Sequence, residues 1–549
     1  MFHSMRGDVI WPAGFLWFLA ACSPRGPAAA RAPLTRSVTV LYTADLHSHL
    51  LREDLTIGRV DAARGLGTEG ETASVGGAAR LATRLAEERS LSERAVYLDA
   101  GDVLEGSSFF PAFGGEPEVR ALSALGVDAM ALGNHDLAFG SDALGAVVGK
   151  WATFPLLAAN LPEEMGTELV QPFTRIERGG VRVAVIGLGR RPDGVPNLDR
   201  CAAAVAEAVH QVRVNSDLVV LLSHLGRDAD LALVPRTTGI DLVIGGHTHD
   251  VLDPPLVVDD CDAQAGADLG CESRPVPVVH PGAYGRYLGR ADLVLSRDER
   301  DLADLAGDAS ERPSVVVESR FSLLPVTGLA PESAEMGRLL QPYADALDAA
   351  GVNTAIAFAP AALSRRQPRR GDSELGDLVA DALLGATSAD LAVMNTTGIR
   401  ADLLAGPVSE DDLVRVLPFS DEIVALQLSG DELTRAMRGA AMESCRGGDP
   451  SPFQMAGGRV AVGCNAGTFE LTLRSRSVMP SGSYRIVAPS FLTEAGRWLD
   501  LPTRGPEPTG IAVRDAVLEQ VIARPACPEP AANPLPCVVA EADGRIDWQ

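Results

Sequence analysis

Leu242-Val243-Ile244-Gly245-Gly246-His247-Thr248-His249 is the stretch that decides how this chain is read. A short β-branched run bounded by two glycines reads as a buried strand that ends in a tight loop. In an extended loop, His-x-His places both imidazoles on one face. The same design recurs along the N-terminal half. Val38–Tyr42 leads into Thr43-Ala44-Asp45-Leu46-His47, and Val96-Tyr97-Leu98 into Asp99-Ala100-Gly101-Asp102. Met130-Ala131-Leu132 leads into Gly133-Asn134-His135-Asp136, and Leu218–Leu222 into Ser223-His224. Loops at strand ends are where α/β folds gather reactive groups. Glycines beside these residues let the backbone turn closely around a site.

A lone Asp-x-His or a lone histidine is usually structural. Five such motifs in order, each after a strand, describe a site. Two divalent ions roughly 3.5–4 Å apart need a shared carboxylate with imidazole and oxygen ligands on either side. Such a pair polarises a phosphoryl oxygen and activates water for attack. The chain has nine histidines, and all lie at or before His280. The C-terminal half therefore works with arginine, asparagine, aromatic and carboxylate side chains. Asp99, His3, His49, His210 and His280 read as structural.

Length and patterning predict an α/β protein of more than one domain. Val181–Ile186, Ala95–Leu98 and the runs above alternate with alanine-rich helical stretches, as a largely buried sheet requires. Strands Ala291–Leu295 and Val315–Pro325 close this first domain, placed at residues 37–327. Ser333 then heads apolar residues at helical spacing, Met336, Leu339, Leu340, Tyr343 and Leu347, giving a connecting helix within 328–351. A second α/β domain follows at 352–524, and a Pro- and Cys-rich tail at 525–549.

The net charge of -25 argues against nucleic-acid polymers as partners, since a phosphate backbone needs a basic surface. A small phosphate ester remains compatible, because metals and a few arginines invert the local field. After Arg6, the apolar run Trp11 to Ala21 is too short to span a bilayer. It ends in Leu19-Ala20-Ala21-Cys22, which resembles the bacterial lipoprotein lipobox. That resemblance implies a signal peptide over residues 1–22, lipidation of Cys22, a tether over 23–36, and an exported protein held to the bacterial envelope, periplasmic or at the cell surface. An ordinary cleaved signal peptide is the alternative. Three close pairs of cysteines suggest themselves, Cys261 with Cys271, Cys445 with Cys464, and Cys527 with Cys537, with the connectivity open. Cys201 is left as a buried thiol.

The ordered blocks D-x-H, G-D, G-N-H-D, H and G-H-x-H resemble the calcineurin-like metallophosphoesterases. From Ser37 to about Asp500 the chain further resembles the bacterial 5′-nucleotidase/UDP-sugar hydrolase family, which adds a C-terminal substrate domain. The resemblance implies a four-layer β-sandwich flanked by helices, joined by a helix to a second α/β domain. It places Asp45, His47, His249 and Asp102 on one metal, and Asp102, Asn134, His224 and His247 on the other. Zinc is the first expectation for both ions, with manganese and iron also suited to these ligands. His135 matches the family's catalytic histidine.

The substrate pocket can be followed in the same way. Ahead of Ser373-Glu374-Leu375-Gly376-Asp377-Leu378, Arg365 and Arg369 fill two phosphate-facing positions, with Arg366 and Arg370 close competitors. Asn395-Thr396-Thr397-Gly398-Ile399-Arg400 resembles N-x-G-G-[IV]-R and puts Arg400 at the phosphate. Guanidinium groups suit that role because their planar donors pair two oxygens at once. Pro418-Phe419-Ser420-Asp421 resembles P-F-[GE]-N, and Phe419 with Phe491 would sandwich a flat base.

Three positions depart from the pattern. Where the family pairs its histidine with an aspartate three residues on, this chain has Ala138, so His135 is expected to lose an orienting partner, with Asp142 as a substitute. Asp421 replaces an asparagine, and Arg497 in Ala495-Gly496-Arg497 replaces an aspartate. The expected activity is hydrolysis of 5′-nucleotides to nucleoside and phosphate. UDP-sugars, cyclic nucleotides, other phosphoesters and a thiosulfohydrolase-like chemistry are alternatives. A surface binding lipoprotein with weakened turnover is the reading from another class.

Overall fold

The computed structural model describes residues 34–161, 169–192, 196–261, 273–297, 315–365, 371–447, 451–493, 505–527 and 535–548. Two six-stranded sheets stack face to face in the N-terminal half. The first runs Val315–Pro325, Tyr287–Arg297, Leu34–Thr43, Ala95–Asp99, Ala129–Ala131 and Leu156–Leu157 in spatial order. The second runs Leu256–Asp259, Pro275–Val279, Leu242–Gly245, Leu218–Ser223, Val181–Leu188 and Phe173–Arg178. Neighbours in the middle of each sheet are parallel, and antiparallel strands close both edges of the second sheet and the Val315–Pro325 edge of the first, whose other edge, Leu156–Leu157, pairs in parallel.

Strand periodicity explains the layering. Val38, Val40, Tyr42, Val96 and Leu98 face Val183, Val185, Val220, Leu222 and Ile244 in a dry core between the sheets. Their neighbours point outward: Leu41 and Tyr97 pack under the helices covering the first sheet. Val219, Leu221 and Val243 do the same under those covering the second. Because both faces are covered, these strands read as continuous apolar runs, not as alternating ones. The result is the four-layer sandwich expected.

Ser333 caps the helix Ala334–Ala349 by accepting from the Met336 amide, as its sequence predicts. This helix is not a free connector. Met336, Leu340 and Leu347 belong to the N-terminal core, and the Tyr343 hydroxyl donates to Glu116 at 2.6 Å.

The C-terminal half centres on a five-stranded sheet in the order Phe453–Ala456, Leu391–Asn395, Ser483–Pro489, Glu422–Ser429 and Glu507–Ala512. A second, four-stranded sheet includes Gly458–Gly463 paired in parallel with Ile546–Trp548. Residues Ile546–Trp548 are thus a strand of this domain. Its three residues are too few to show a period, and Asp372 anchors them by accepting from the Gly544 and Arg545 amides. Disulfides join Cys445 to Cys464 and Cys527 to Cys537. Cys261 is also disulfide-bonded, while Cys271 lies outside the described residues. Cys201 is a buried free thiol.

Candidate active site

The carboxyl ends of the inner strands of both sheets converge, and their loops bring the candidate ligands together. Asp45, His47 and His249 form one group whose ligand atoms lie within 4.8 Å of one another, and Asp102, His224 and His247 form a second. Asp102 also groups with His47 and His135, which puts it between the two. Asn134 joins the second group, its Oδ1 3.0 Å from His247 Nδ1.

Local backbone strain marks the place. Asp45, His47, Asp102, His247 and His249 all have positive φ, between 48° and 75°. Residues with a Cβ hold that conformation only where surrounding structure over-determines it. Here the loops hold one another. The Asp45, His47 and Ser48 amides donate to the Gly101, Asp102 and Val103 carbonyls at 2.8–2.9 Å, and the His247 amide donates to Asp45 at 2.9 Å. The Asp136 carboxylate accepts from the Asp102, Val103, Leu104 and Gly133 amides at 2.8–3.2 Å. Gly133 is required at its position, since a Cβ there would sit 2.2 Å from Asp102 Oδ1.

Hydrogen bonds fix which ring nitrogens are free. His47 Nδ1 donates to the Glu105 carbonyl at 2.8 Å, and His224 Nδ1 to the Ala100 carbonyl at 2.6 Å. In the neutral ring each Nε2 then carries a lone pair. His47 Nε2 faces His249 Nε2 at 3.0 Å, and the latter already accepts from Arg400 Nη2 at 2.6 Å. The His47 Nε2 lone pair then faces an acceptor nitrogen, an arrangement that a cation satisfies. Asp102 Oδ2 and His224 Nε2 are likewise buried without a hydrogen bond, although 2.8 Å apart. The donor set fits divalent ions.

Electrostatics favour the ligating form at His47, His247, His249 and Asp102, and oppose it at Asp45 and His224. Burial drives His47, His247 and His249 well below the usual histidine range, which keeps them in the neutral, ligating form. Burial also pushes Asp45 up to about 8. Burial works to raise Asp102 too, but His224 and His135 outweigh it and hold that carboxyl well below its usual range. His224 goes up to about 9, because Asp102 overcomes the opposing effect of burial.

The C-terminal domain reaches into this cluster. Besides its contact with His249, the Arg400 guanidinium lies 5.5 Å from the centroid of the Phe419 ring. Phe419 is stacked on His135, with centroids 5.0 Å apart and planes 16° from parallel. Arg365 Nη1 reaches the Ile399 carbonyl at 3.4 Å, next to Arg400. Asn395 bonds Thr397 through Nδ2 at 3.1 Å, while its Oδ1 is buried without a hydrogen bond. Asp421 accepts from the Ser490 hydroxyl and the Phe491 amide at 2.9 and 3.1 Å, so it braces the turn that carries Phe491. Arg369 and Arg497 lie outside the described residues.

One expectation is corrected. His135 does have a carboxylate partner: its Nδ1 is 2.7 Å from Glu105 Oε2. Asp142, the substitute considered from sequence, lies exposed on the first turn of the helix Ser141–Trp151. Glu105, Asp136 and Tyr284 were not singled out by sequence, and Tyr284 packs its ring near both His47 and His249. A signal existed for Asp136, the acid that closes Gly133-Asn134-His135-Asp136, whereas Glu105 stands three residues beyond the last motif residue, Asp102.

Comparison with known proteins agrees with this architecture. Residues 38–251 match the calcineurin-like phosphoesterase model, and residues 350–500 match the 5′-nucleotidase C-terminal domain. The protein UshA of Escherichia coli is 25% identical, with 94% of each chain covered. The trifunctional nucleotide phosphoesterase YfkN of Bacillus subtilis is 24% identical over 84% of this chain, which spans 32% of that protein. The crystal structure of a 5′-nucleotidase precursor from Thermus thermophilus superposes with a TM-score of 0.74 at 25% identity, covering 93% of this chain and 99% of that one.

Fold and site together define a metal-dependent phosphoester hydrolase. Its second domain narrows the class, and the chain belongs to the 5′-nucleotidase family, in which a calcineurin-like phosphoesterase domain precedes a 5′-nucleotidase C-terminal domain.

Proposed function

We propose that the protein is an exported two-metal phosphohydrolase that releases phosphate from 5′-nucleotides. The observation that carries this reading is the approach of Arg400, from the C-terminal half, to His249 at 2.6 Å. A phosphate held by that guanidinium would lie against the metal cluster, while the rest of the substrate would face the C-terminal domain.

In this reading Asp45, His47, His249 and Asp102 hold one divalent ion, and Asp102, Asn134, His224 and His247 hold the second, with zinc the first choice over manganese or iron. Divalent ions held there supply Lewis acidity toward a phosphoryl oxygen and lower the pKa of the attacking water. Arg400, with Arg365 and Arg369, pairs the remaining phosphate oxygens. His135 turns its free Nε2 toward the phosphoryl group or the leaving oxygen. Phe419 and Phe491 bind the organic portion, with Asn395 and Asp421 in the same pocket, to which the family resemblance also assigns Arg497. Phosphate chemistry falls to residues 37–327 and substrate binding to residues 352–524.

Export and lipid attachment through Cys22 form the rest of the proposal. The two described disulfides support an oxidising compartment. Cys22 lies outside the described residues, and among those described no helix is long and apolar enough to cross a membrane.

The deciding experiment is a panel with Zn²⁺ or Mn²⁺: AMP, UDP-glucose, cyclic nucleotides, bis-p-nitrophenyl phosphate and a thiosulfate conjugate. Preferential turnover of AMP is expected. Turnover confined to diesters or to the thiosulfate conjugate would refute the nucleotidase reading and keep the metal-dependent hydrolase.

A further inference from the structure

We infer that Glu105 is the positioning carboxylate of His135, taking over from a different loop the role that position 138 cannot fill with alanine. This rests on the reading of His135 as a catalytic residue.

The geometry is specific. His135 opens a single turn of 3-10 helix, His135–Leu137, and Ala138 closes that turn. Its amide donates to Asp102 Oδ1 at 2.7 Å, which ties its backbone to the bridging carboxylate. Its ring is then gripped at three places. Nδ1 meets Glu105 Oε2 at 2.7 Å, one face stacks on Phe419, and the His47 ring stands against it at 5.0 Å in an edge-on arrangement. Nε2 is the ring nitrogen left for chemistry.

Glu105 is built for this place. It stands three residues after Asp102 in the same loop, with φ at 60°, outside the usual range for a residue with a Cβ. Its carbonyl fixes His47 Nδ1 at 2.8 Å while its side chain fixes His135 Nδ1. The Glu105 side chain is 8% exposed and that of His135 20% exposed, so the bond is shielded from water. One residue thus sets the tautomer of a proposed metal ligand through its backbone and that of the proposed catalytic histidine through its side chain. A glutamate suits the task because the carboxylate must cross from one loop to the next.

The test compares kcat, KM and metal content for Glu105→Ala, Glu105→Gln, His135→Ala and the double variant Glu105→Ala/His135→Ala, all in the full chain. AMP and p-nitrophenyl phosphate serve as substrates. Glu105→Ala should lower kcat about 10–100-fold, the range for losing an orienting outer partner, with KM and metal content nearly unchanged. Glu105→Gln, which keeps a hydrogen-bond acceptor, should lose less. The double variant should be no slower than His135→Ala alone, because the two residues act as a unit. Additive losses, or loss of metal from Glu105→Ala, would overturn the proposal. If His135→Ala lowers kcat and Glu105→Ala does not, the proposal fails alone. If His135→Ala leaves kcat unchanged, the catalytic reading of His135 fails and the proposal with it.

Discussion

Phe419 of the C-terminal domain lies flat against His135 of the N-terminal domain, at 5.0 Å between ring centroids. A residue of the proposed substrate pocket therefore touches a residue of the proposed reaction centre, across the junction between the halves. Aromatic pairs of this kind contribute about 0.5–1.5 kcal/mol beyond the area they bury. Phe419→Ala should accordingly raise KM about 2–10-fold and lower kcat, through a less constrained His135. Steady-state kinetics on AMP check this, and a kcat untouched by the change would show that the stack does not position the imidazole.

Arg400 makes another contact across the junction, 2.6 Å from His249 Nε2. A charge-assisted hydrogen bond contributes about 1.5–3 kcal/mol, so Arg400→Ala should weaken phosphate-ester binding by about 10–100-fold. Metal content should stay the same. Arg400→Lys should recover little, because an ammonium cannot present two coplanar donors. KM for AMP and the inhibition constant of inorganic phosphate should move together. If neither changes, Arg400 is not the phosphate ligand.

Asp102 groups with His224 and His247 and, separately, with His47 and His135, and its Oδ1 also holds the His135 amide at 2.7 Å. Asp102→Asn keeps the shape and removes the charge. It should cost at least one ion and exceed the roughly 10–100-fold penalty typical of outer-shell changes. Metal analysis of the purified variant decides the point, since two retained ions would remove Asp102 from the bridging position.

These contacts show where sequence reading runs out. The sandwich was legible because its inner strands are continuous apolar runs, and five of them lead within a few residues into an aspartate, asparagine or histidine, three of these with a glycine beside the ligand. A buried strand followed by a ligand loop needs only local information. The partner of His135 does not. Glu105 precedes His135 by 30 residues, and the two meet only because Asp136 folds the loop after Asp102 onto the turn at Gly133. The strand Ile546–Trp548 was hidden for another reason, being too short to display a period. The stack of Phe419 on His135 depends on how the two halves meet, which no local pattern encodes.

Glu118 offers a test of burial independent of catalysis. Its side chain is inaccessible, with Ser48 donating to one oxygen and the other lacking a hydrogen bond. Burial pushes its carboxyl from an ordinary 4.5 up to about 7, with the Ser48 hydroxyl opposing the shift. The sign follows from linkage. With the folded pKa above the unfolded one, the folded state binds the extra proton between them, so stability falls as pH rises through that window and levels off above it. Below the unfolded pKa both states are protonated, and the contribution is fully present. Glu118→Gln cannot ionise and should flatten this part of the curve. Against wild type, its relative stability should rise between about pH 4.5 and 7 and then stay constant. Thermal unfolding of both proteins at several pH values across that window measures the difference. A constant offset at every pH would mean that Glu118 stays ionised in the fold, and that the Ser48 hydrogen bond is enough to hold a buried charge.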